Sequence, residues 1–299
     1  MMESLEGTVV EIHGVRATVL VDGDGRRIRC RPLRDRTQLA VGDQVRVEEQ
    51  IHGPRVVSLG ERHRVLWRPQ ERGRKVMASH VDRVVAVVSV NPAPSPGLLD
   101  RFLVASDAED IDAILVLTKV DLDDRSAADA SLQVYRDLGM EVLELSARTG
   151  EGVERLRDVI QTGLSVFAGH SGVGKSSLLN ALVPGASLKI GPVNETTGRG
   201  RHTTSVTTCH ELGDSWPAGA LVVDTPGVRS FGLYGLDLTQ IGHGFREFRA
   251  LQTSCRFRNC LHEEEPDCGV RLALDAGEVD PGRYQRYRSV LESVRRGDG

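Results

Sequence analysis

Eight residues near the middle of the chain form a pattern suited to binding the phosphates of a nucleotide. Gly169–Ser176 reads Gly-His-Ser-Gly-Val-Gly-Lys-Ser, follows an apolar stretch and fits G-x-x-x-x-G-K-[ST]. Such glycines let backbone N–H groups converge on a β-phosphate, and a helix starting at Lys175 adds a favourable field for anions. Lys175 would neutralise β- and γ-phosphate oxygens, and Ser176 would ligate Mg²⁺. The residues expected to contact phosphate are Gly169, His170, Ser171, Gly172, Val173, Gly174, Lys175, Ser176 and Ser177.

Two segments earlier in the chain could select the base. Thr118-Lys119-Val120-Asp121 closes an apolar stretch and resembles the guanine-reading [NT]-K-x-D motif of GTPases, with Thr118 where Asn is commoner. The Asp121 carboxylate can accept hydrogen bonds from guanine N1–H and the 2-amino group, a donor pair that adenine lacks. Ser146-Ala147-Arg148 resembles the loop whose backbone donors cap guanine O6. Taken alone, each short pattern could arise by chance.

A third segment could sense the γ-phosphate. Asp224-Thr225-Pro226-Gly227 follows the apolar run Leu221–Val223 and matches D-x-x-G, in which Asp224 would reach Mg²⁺ through water and the Gly227 N–H would meet the γ-phosphate. The basic, glycine-broken loop 196–205 precedes it and should supply the Mg²⁺-sensing threonine of the first switch. We favour Thr204 for that role, with Thr203 as the alternative.

The order of these motifs is unusual. GTPases commonly run from the phosphate loop through the first switch and D-x-x-G to the guanine motif and S-A-x. Here the guanine motif and S-A-x come first, at 118–121 and 146–148, and the other three follow from 169 onward. Five motifs in one consistent rotation predict a circularly permuted GTPase domain.

A separate cluster has the composition of a metal site. Cys255, Cys260, His262 and Cys268 lie within 14 residues of one another in a polar segment. Three thiolates and one imidazole complete a tetrahedral set suited to structural Zn²⁺, with no position left open for catalysis. The alternative is a group of buried cysteines without a ligand. Cys30 and Cys209 lie in expected strands and are interpreted as core or half-buried residues.

Composition and charge describe an ordinary folded chain. Of 299 residues, 39% are hydrophobic and 27% are charged, and the net charge is −4, which excludes collagen-like and wholly disordered classes. Apolar stretches fall short of the roughly 20 residues that span a bilayer. The first residues are acidic where a secretory signal would carry Lys or Arg. We therefore expect a cytoplasmic protein that does not contact membranes.

Hydrophobic periodicity predicts a multi-domain chain. Residues 1–68 contain five short alternating runs split by turn signals, which is typical of a β-barrel of the oligonucleotide-binding (OB) type. Residues 69–233 form the α/β P-loop GTPase domain, of which 69–80 are interpreted as a basic linker. Residues 234–299 are expected to form a mainly helical zinc-binding domain, closed by a helix that begins after Asp280.

The expected elements are as follows. Barrel strands are predicted at 8–12, 16–21, 27–31, 44–47 and 55–59. Strands of the α/β domain are predicted at 83–90, 113–117, 141–145, 164–168, 206–211 and 221–223, with helices at 98–108, 126–138, 152–160 and 175–183.

The barrel carries a candidate RNA surface. Six arginines and one acidic residue fall between Arg26 and Arg36. Such a cluster could contact the phosphates of RNA. The alternative is a solvated strand edge without a partner.

These features together resemble the bacterial small ribosomal subunit biogenesis GTPase family. The resemblance covers essentially the whole chain and rests on Gly169–Ser177, Gly200-Arg201-His202-Thr203-Thr204, Asp224–Arg229 and Cys255–His262. It implies a cytoplasmic factor that hydrolyses GTP to GDP with Mg²⁺ and binds the immature small ribosomal subunit and its rRNA. It also implies low activity until the subunit is bound. We expect one structural Zn²⁺ per chain and a monomer.

The catalytic group is expected to differ from that of many GTPases. Many GTPases place a Gln after the D-x-x-G glycine to orient the attacking water, whereas this chain has Val228. His202, beside the expected switch threonine, could accept a hydrogen bond from that water. The alternative for His202 is a contact to RNA or a cap on the loop. At the level of the whole chain, an RNA clamp with little turnover and a metabolic P-loop kinase are the alternatives to a GTPase.

Overall fold

Thirteen strands and eight helices make up the described part of the molecule. The computed structural model describes residues 4–13, 16–34, 38–69, 74–183, 208–211, 220–224, 231–233 and 235–297, leaving aside the side chains of 69, 208–211 and 224. The strands are β1 Ser4–His13, β2 Arg16–Val21, β3 Arg27–Cys30, β4 Gln44–Glu48, β5 Arg55–Leu59, β6 Leu66–Pro69, β7 Arg74–Ala78, β8 Arg83–Ser89, β9 Asp112–Thr118, β10 Val142–Leu145, β11 Leu164–Ala168, β12 Thr208–Glu211 and β13 Leu221–Asp224. The helices are α1 Pro96–Ala108, α2 Ser126–Asp137, α3 Val153–Val159, α4 Lys175–Leu182, α5 Leu238–Gly244, α6 Arg246–Gln252, α7 Gly269–Asp275 and α8 Pro281–Arg295.

Strands β1 to β5 close into a small barrel. β1 pairs antiparallel with β2 and β4, β2 with β3, and β4 with β5. A bridge between Arg31 and Arg55 joins the end of β3 to the start of β5 and completes the circuit. Alternate residues of these strands fill the interior, including Val9, Val19 and Val45. The resulting strand order, 1-2-3-5-4, is that of an OB fold and confirms the predicted barrel.

A parallel sheet forms the centre of the α/β region, in the order β10-β9-β8-β11-β13 with β12 antiparallel at its edge. Its strands are nearly continuous apolar runs because helices cover both faces. Val84, Ala86 and Val88 face the core that contains α1 and α2. The alternating Val85 and Val87 face the core that contains α3 and α4. The β-strand period of two thus divides a single run of valines between two cores.

A buried carboxylate joins the barrel to the α/β region. Asp43, fully buried just before β4, accepts two hydrogen bonds of 2.7 Å from the Arg62 guanidinium. It also accepts 2.7 Å bonds from the Ser79 hydroxyl and the Ala40 backbone N–H. Because Arg62 and Ser79 lie on opposite sides of the β6–β7 hairpin in sequence, this one side chain holds both ends of the connection.

The connection itself differs from the prediction. The expected linker at 69–80 is wrong where β6 and β7 pair as an antiparallel hairpin. Trp67 on β6 donates its indole N–H to Glu109 at the end of α1, at 3.1 Å, and its backbone carbonyl accepts a 2.8 Å bond from the Gly232 N–H. The Arg74 guanidinium lies 4.0 Å from the centre of the Trp67 ring. The hairpin is thus packed against the α/β region.

The C-terminal helices share a core with the α/β region. Phe231, Phe245, Phe248 and Tyr287 are fully buried and belong to the same apolar cluster as α1 and the inner face of the sheet. Helix α8 begins at Pro281 after Asp280, whose side chain accepts a hydrogen bond from the Arg283 N–H, as the sequence predicts. Within the described ranges, no helix is long and apolar enough to cross a membrane.

Most predicted elements agree with the structure to within two residues. β2, β5 and β11 have the predicted bounds, and α1 begins two residues earlier than expected because Pro96 occupies its first turn. For the strand expected at 206–211, the described part is β12, 208–211.

Candidate nucleotide and metal sites

The phosphate loop (P-loop) joins β11 to α4 at the carboxyl edge of the sheet. Gly174 has a φ angle of +93°, in the region that favours glycine. A Cβ atom on Gly169 would lie 2.2 Å from the Val87 carbonyl oxygen, so no side chain fits there. Lys175, which is buried, donates from Nζ to the carbonyl oxygens of Gly169 and His170 at 2.6 and 2.9 Å. The lysine is thus already positioned inside the loop.

Thr118 connects the guanine motif to the P-loop. Its buried hydroxyl lies 2.5 Å from the Val173 carbonyl oxygen in the P-loop and 3.0 Å from that of Val88 on β8. A hydroxyl donates one hydrogen bond at a time, so Thr118 can alternate between these two acceptors. Thr118, at the position where Asn is commoner, therefore reaches the phosphate loop directly.

Lys119 reaches the P-loop from the same strand end. Its backbone has φ +60°, and Nζ donates to the carbonyl oxygens of Gly172 at 2.6 Å and Asn91 at 2.5 Å. Burial lowers the pKa of Lys119, and the charge of Asp121 opposes that shift. The contact with Asn91, in the loop after β8, could not be read from the motif itself.

Asp121 is held by the S-A-x loop. The Ser146 hydroxyl donates to Oδ1 at 2.5 Å, and Arg148 Nε donates to Oδ2 at 2.8 Å. The hydrogen bond from Ser146 lowers the pKa of the Asp121 carboxyl, so the group is an anion at neutral pH. Ser146 is itself buried, and its oxygen accepts from the N–H groups of Arg148 and Thr149 at 3.2 Å each. The segments 118–121 and 146–148, which are separated in sequence, therefore form one unit. Val120 lies between Lys119 and Asp121 in this unit, and Ala147 lies between Ser146 and Arg148.

Parallel strand ends bring the remaining motifs to the same edge. Asp224 ends β13 in register with Phe167 on β11, two residues before the P-loop. β9 and then β10 extend the sheet on one side of β8, whereas β11 pairs with its other side. In open α/β sheets, ligands bind at such a switch point. A cavity of about 290 Å³ opens there between the loop after β8 and His170 and Ser171. Four predicted residues, His202, Thr203, Thr204 and Gly227, lie outside the described residues.

Cys255, Cys260, His262 and Cys268 meet at one point. All four ligand atoms lie within 4.8 Å of one another. His262 Nδ1 is 3.3 Å from Cys268 Sγ and 3.6 Å from Cys255 Sγ, and the two sulfurs are 4.0 Å apart. Ligands of a tetrahedral ion with bonds of roughly 2.0–2.3 Å are about 3.3–3.8 Å apart. The cluster therefore fits one metal ion.

The surroundings of the cluster hold its ligands in place. His262 is 2% exposed with φ +57°, and the Tyr284 hydroxyl donates to its carbonyl oxygen at 2.5 Å. The Gly269 N–H points to Cys255 Sγ at 3.3 Å, a bond that favours a thiolate. Burial raises the pKa of the Cys260 thiol to about 12, so loading a metal there must displace protons.

Comparison with known proteins identifies the family. The RsgA GTPase family model matches residues 59–234. The small ribosomal subunit biogenesis GTPase RsgA of Haemophilus influenzae strain PittGG is 38% identical over 98% of this chain and 86% of its own length. The chain belongs to the RsgA GTPase family. The Shewanella oneidensis protein of the same name is 37% identical over 96% of this chain and 83% of its own.

Two solved structures match this fold over nearly the whole chain. YjeQ from Thermotoga maritima matches with a TM-score of 0.73 at 31% identity, over 98% of this chain and 99% of that one. YloQ, described as a circularly permuted GTPase, matches with a TM-score of 0.70 at 29% identity, over 98% and 96% of the two chains. The chain is accordingly a GTP hydrolase with permuted motifs, as its motif order predicts.

The barrel of this RsgA-family chain has exposed arginines on and around β3. Arg26, Arg27, Arg29 and Arg34 are exposed, whereas Arg36 lies outside the described residues. Beside them, the Nε atoms of Arg31 and Arg55 are buried without a hydrogen-bond partner in the part of the chain that the structure describes. Burial, and then the charges of Arg31 and Arg34, lower the pKa of Arg55. Concentrated positive charge of this kind attracts an anion.

Sequence reasoning missed a buried ionic network that joins the GTPase helices to the C-terminal helices of this RsgA-family chain. Asp100 on α1 pairs with Arg283 and, at 2.7 Å, with Arg286, both on α8. Arg283 also pairs with Glu247 on α6 at 2.6 Å, and the Tyr135 hydroxyl donates to Asp100 at 2.5 Å. Burial raises the pKa of Asp100, and the two guanidinium groups act in the opposite direction. In the sequence, the signal for this network is Asp100, which lies among the apolar residues of α1.

Proposed function

We propose that this GTPase binds the small ribosomal subunit and its rRNA, assists late maturation of that subunit, and hydrolyses GTP with subunit-stimulated turnover. The observation that chiefly supports the proposal is that four motif residues meet at one edge of the parallel sheet: Thr118, Asp121, Ser146 and Lys175. The arginine-rich barrel of the same chain is the second support. The names of the RsgA relatives supply the partner. A bacterial protein that acts on the small ribosomal subunit is expected in the cytoplasm.

In this proposal the guanine base lies against the Thr118–Asp121 and Ser146–Ala147 segments. Asp121 accepts from N1–H and the 2-amino group, and Ser146, which already donates to Asp121, keeps the carboxylate oriented. An oriented anion favours the base that supplies two donors and leaves adenine with an unpaired carboxylate opposite it. The stem of Lys119 supports the plane of the base.

The phosphates lie in the loop Gly169–Ser177. Backbone N–H groups at the start of α4 face the β-phosphate, and Lys175 exchanges its two carbonyl partners for phosphate oxygens. Ser176, Asp224 and Thr204 would hold Mg²⁺, which supplies charge neutralisation at the β- and γ-phosphates. Gly227 would sense the γ-phosphate through its backbone N–H.

We assign a structural Zn²⁺ to Cys255, Cys260, His262 and Cys268. Three sulfurs and one nitrogen within 4.8 Å of one another match the ligand preference of this ion, and four protein ligands leave no open coordination position. The ion would stabilise a segment, 253–268, that has few apolar residues of its own.

We assign RNA binding to the arginine surface of the barrel. Four exposed arginines lie on β3 or close to it in the chain: Arg26 just before the strand, Arg27 and Arg29 on it, and Arg34 in the loop that follows. Phosphate contacts of this kind provide affinity without sequence specificity.

For catalysis we propose His202 as the group that orients the attacking water. Val228 cannot hydrogen-bond to water, and a neutral imidazole can accept a proton at pH 7. Water then attacks the γ-phosphorus, the bond to the β–γ bridging oxygen breaks, and GDP and phosphate leave.

Turnover with and without purified bacterial small subunits tests this function. We expect slow GTP hydrolysis by the free protein and strong stimulation by subunits at saturating concentration. His202→Ala should abolish most of the stimulation while GTP binding persists, and Lys175→Ala should weaken GTP binding itself. Binding to subunits with no stimulation of wild type would favour an RNA clamp, and a fully stimulated His202→Ala variant would exclude His202 as the catalytic group.

A further inference from the structure

A second cavity, of about 200 Å³, opens beside the Cys/His cluster in the C-terminal region. It is lined by Thr239, Gln240 and His243 of α5, Gln252 of α6, and Phe257 and Arg258 of the loop between two metal-ligand cysteines, with the cluster at its back. Pockets for drug-sized ligands run roughly 300–1,000 Å³. This cavity therefore suits a group with one ring system.

An exposed aromatic side chain forms one wall of the cavity. Phe257 is 42% exposed, and its neighbours Arg256, Arg258 and Asn259 are exposed as well. The loop is short and fixed at both ends, because Cys255 and Cys260 belong to the metal cluster. Its backbone is held further by a 3.1 Å bond from the Arg256 N–H to the Asp267 carbonyl oxygen. Phe257 is thus presented to solvent on a rigid loop that prevents it from folding into the core.

The polar groups around the cavity are available to a ligand. The half-buried Gln252 amide has no hydrogen-bond partner among the described residues. Gln240 uses its carbonyl oxygen to accept from the Asp237 N–H at 3.0 Å, which leaves its NH₂ group as a donor. Within the described ranges, Arg258 has no carboxylate within ion-pairing distance. The Phe257 ring, whose centre lies 5.4 Å from the Arg256 guanidinium carbon, therefore surrounds one small opening together with two amides and the Arg258 guanidinium.

We propose that this cavity receives one unpaired base of the bound RNA, which stacks on Phe257 while Arg258 pairs with an adjoining phosphate. The inference rests on the proposed function and specifies how the C-terminal region takes part in it. Proteins read single-stranded RNA by stacking bases on aromatic rings and pairing their edges with side-chain amides. An apolar peptide side chain would leave the Gln252 amide and the Arg258 guanidinium without partners, so the chemistry favours a nucleotide.

The test measures binding of the full chain, loaded with a non-hydrolysable GTP analogue, to bacterial small subunits, together with chemical probing of the rRNA nucleotide by nucleotide. We expect Phe257→Ala to bind about 5- to 150-fold more weakly, the loss that follows removal of one base–aromatic stack. One or a few unpaired nucleotides that the wild type protects should become reactive. Phe257→Tyr keeps the ring and should keep both the affinity and the protection.

Controls separate stacking from unfolding and from failure of the proposed function. Leu272→Ala removes another exposed apolar side chain of the same region, 63% exposed, and should bind and protect like wild type. Zinc content and melting temperature of Phe257→Ala should match wild type. If wild type binds the subunit and Phe257→Ala binds equally well, the inference is wrong and the proposed function stands. If Phe257→Ala binds more weakly but leaves the rRNA footprint unchanged, the cavity does not bind a nucleobase, and a protein partner would be its ligand instead. A wild type that does not bind the subunit would overturn the proposed function and this inference together.

Discussion

Arg283 and Asp100, 183 residues apart in the chain, form an ion pair with both side chains almost wholly buried. The Arg283 guanidinium lies 4.4 Å from the centre of the Phe245 ring and 5.3 Å from that of Tyr135. Charges withdrawn from water in this way depend on one another, because removal of one leaves the other without compensation. The pair therefore ties the position of α8 to that of α1.

Arg283→Ala should destabilise the protein by about 3–5 kcal/mol, the usual loss when one partner of a buried pair is removed. Arg288→Ala is the matched control, because Arg288 on the same helix is 53% exposed and pairs only loosely with Glu263 at 3.5 Å. Its cost should stay within about 0.5 kcal/mol. Urea unfolding of both variants measures the difference, and equal losses would mean that the buried pair has no special role.

Asp121→Asn should weaken GTP binding and shift preference toward xanthosine nucleotides. An amide offers a donor to the 2-oxo group of xanthine, where the carboxylate offers only acceptors. Asp123→Asn, two residues further on and exposed, removes the same charge without touching Ser146 and should keep the preference for guanine. Competition binding with GTP and xanthosine triphosphate measures the ratio. An unchanged ratio in Asp121→Asn would contradict the assignment of the base site.

Thr118→Val should lower the free energy of unfolding by about 1–3 kcal/mol and should also weaken GTP binding, because the P-loop loses a hydrogen bond that holds it. Valine keeps the volume but leaves the carbonyl oxygens of Val173 and Val88 without this donor inside a buried site. Thr118→Ser retains the hydroxyl and should lose much less. Urea unfolding and nucleotide titrations of both variants measure the two effects, and equal losses in both would contradict the assignment of the effect to the Thr118 hydroxyl.

Cys260→Ala should lower the melting temperature and reduce bound zinc well below one ion per chain. The reason is that three remaining ligands leave the tetrahedral set incomplete. Cys30→Ala alters another buried cysteine, in the barrel core, and should keep about one zinc per chain. Elemental analysis after purification without chelator provides the measurement. Absence of zinc in the wild type would contradict the assignment.

Replacing Arg27, Arg29 and Arg34 by Gln should flatten the salt dependence of subunit binding. For every arginine that no longer pairs with a phosphate, the slope of log K against log salt should fall by up to about 0.9. A control with the same change of charge replaces Arg125, Arg136 and Arg155, which already pair with Glu144 or Glu141. Binding measured over a series of salt concentrations compares the two. Identical slopes would indicate that the barrel arginines are solvated charge.

Local signals explain what could be predicted from the sequence. Thr118 ends β9, and Lys175 begins α4 after the loop that follows β11. Short motifs and apolar runs mark both places clearly, and parallel pairing brings the ends of β9 and β11 to the same edge. The β6–β7 hairpin escaped prediction because Pro69, Gly73 and several basic residues obscure its alternation. The contacts of Asp100 with α8 escaped it for a different reason. The ion pair between Asp100 and Arg283 joins residues 183 positions apart in the chain. Such a pair depends on how the helices pack, which cannot be predicted from local sequence patterns.

The shared core has a consequence for the order of folding. The apolar cluster that covers the inner face of the sheet runs from Val10 in the barrel to Leu291 in α8. During synthesis the parallel strands leave the ribosome before Phe231, Phe248 and Tyr287, which complete that cluster. At roughly 5–20 residues per second, translation of the last 65 or so residues takes about 3–13 s. For those seconds each newly made chain exposes the apolar face of a nearly complete nucleotide domain, so chaperone binding should concentrate there and fall away once α8 has docked.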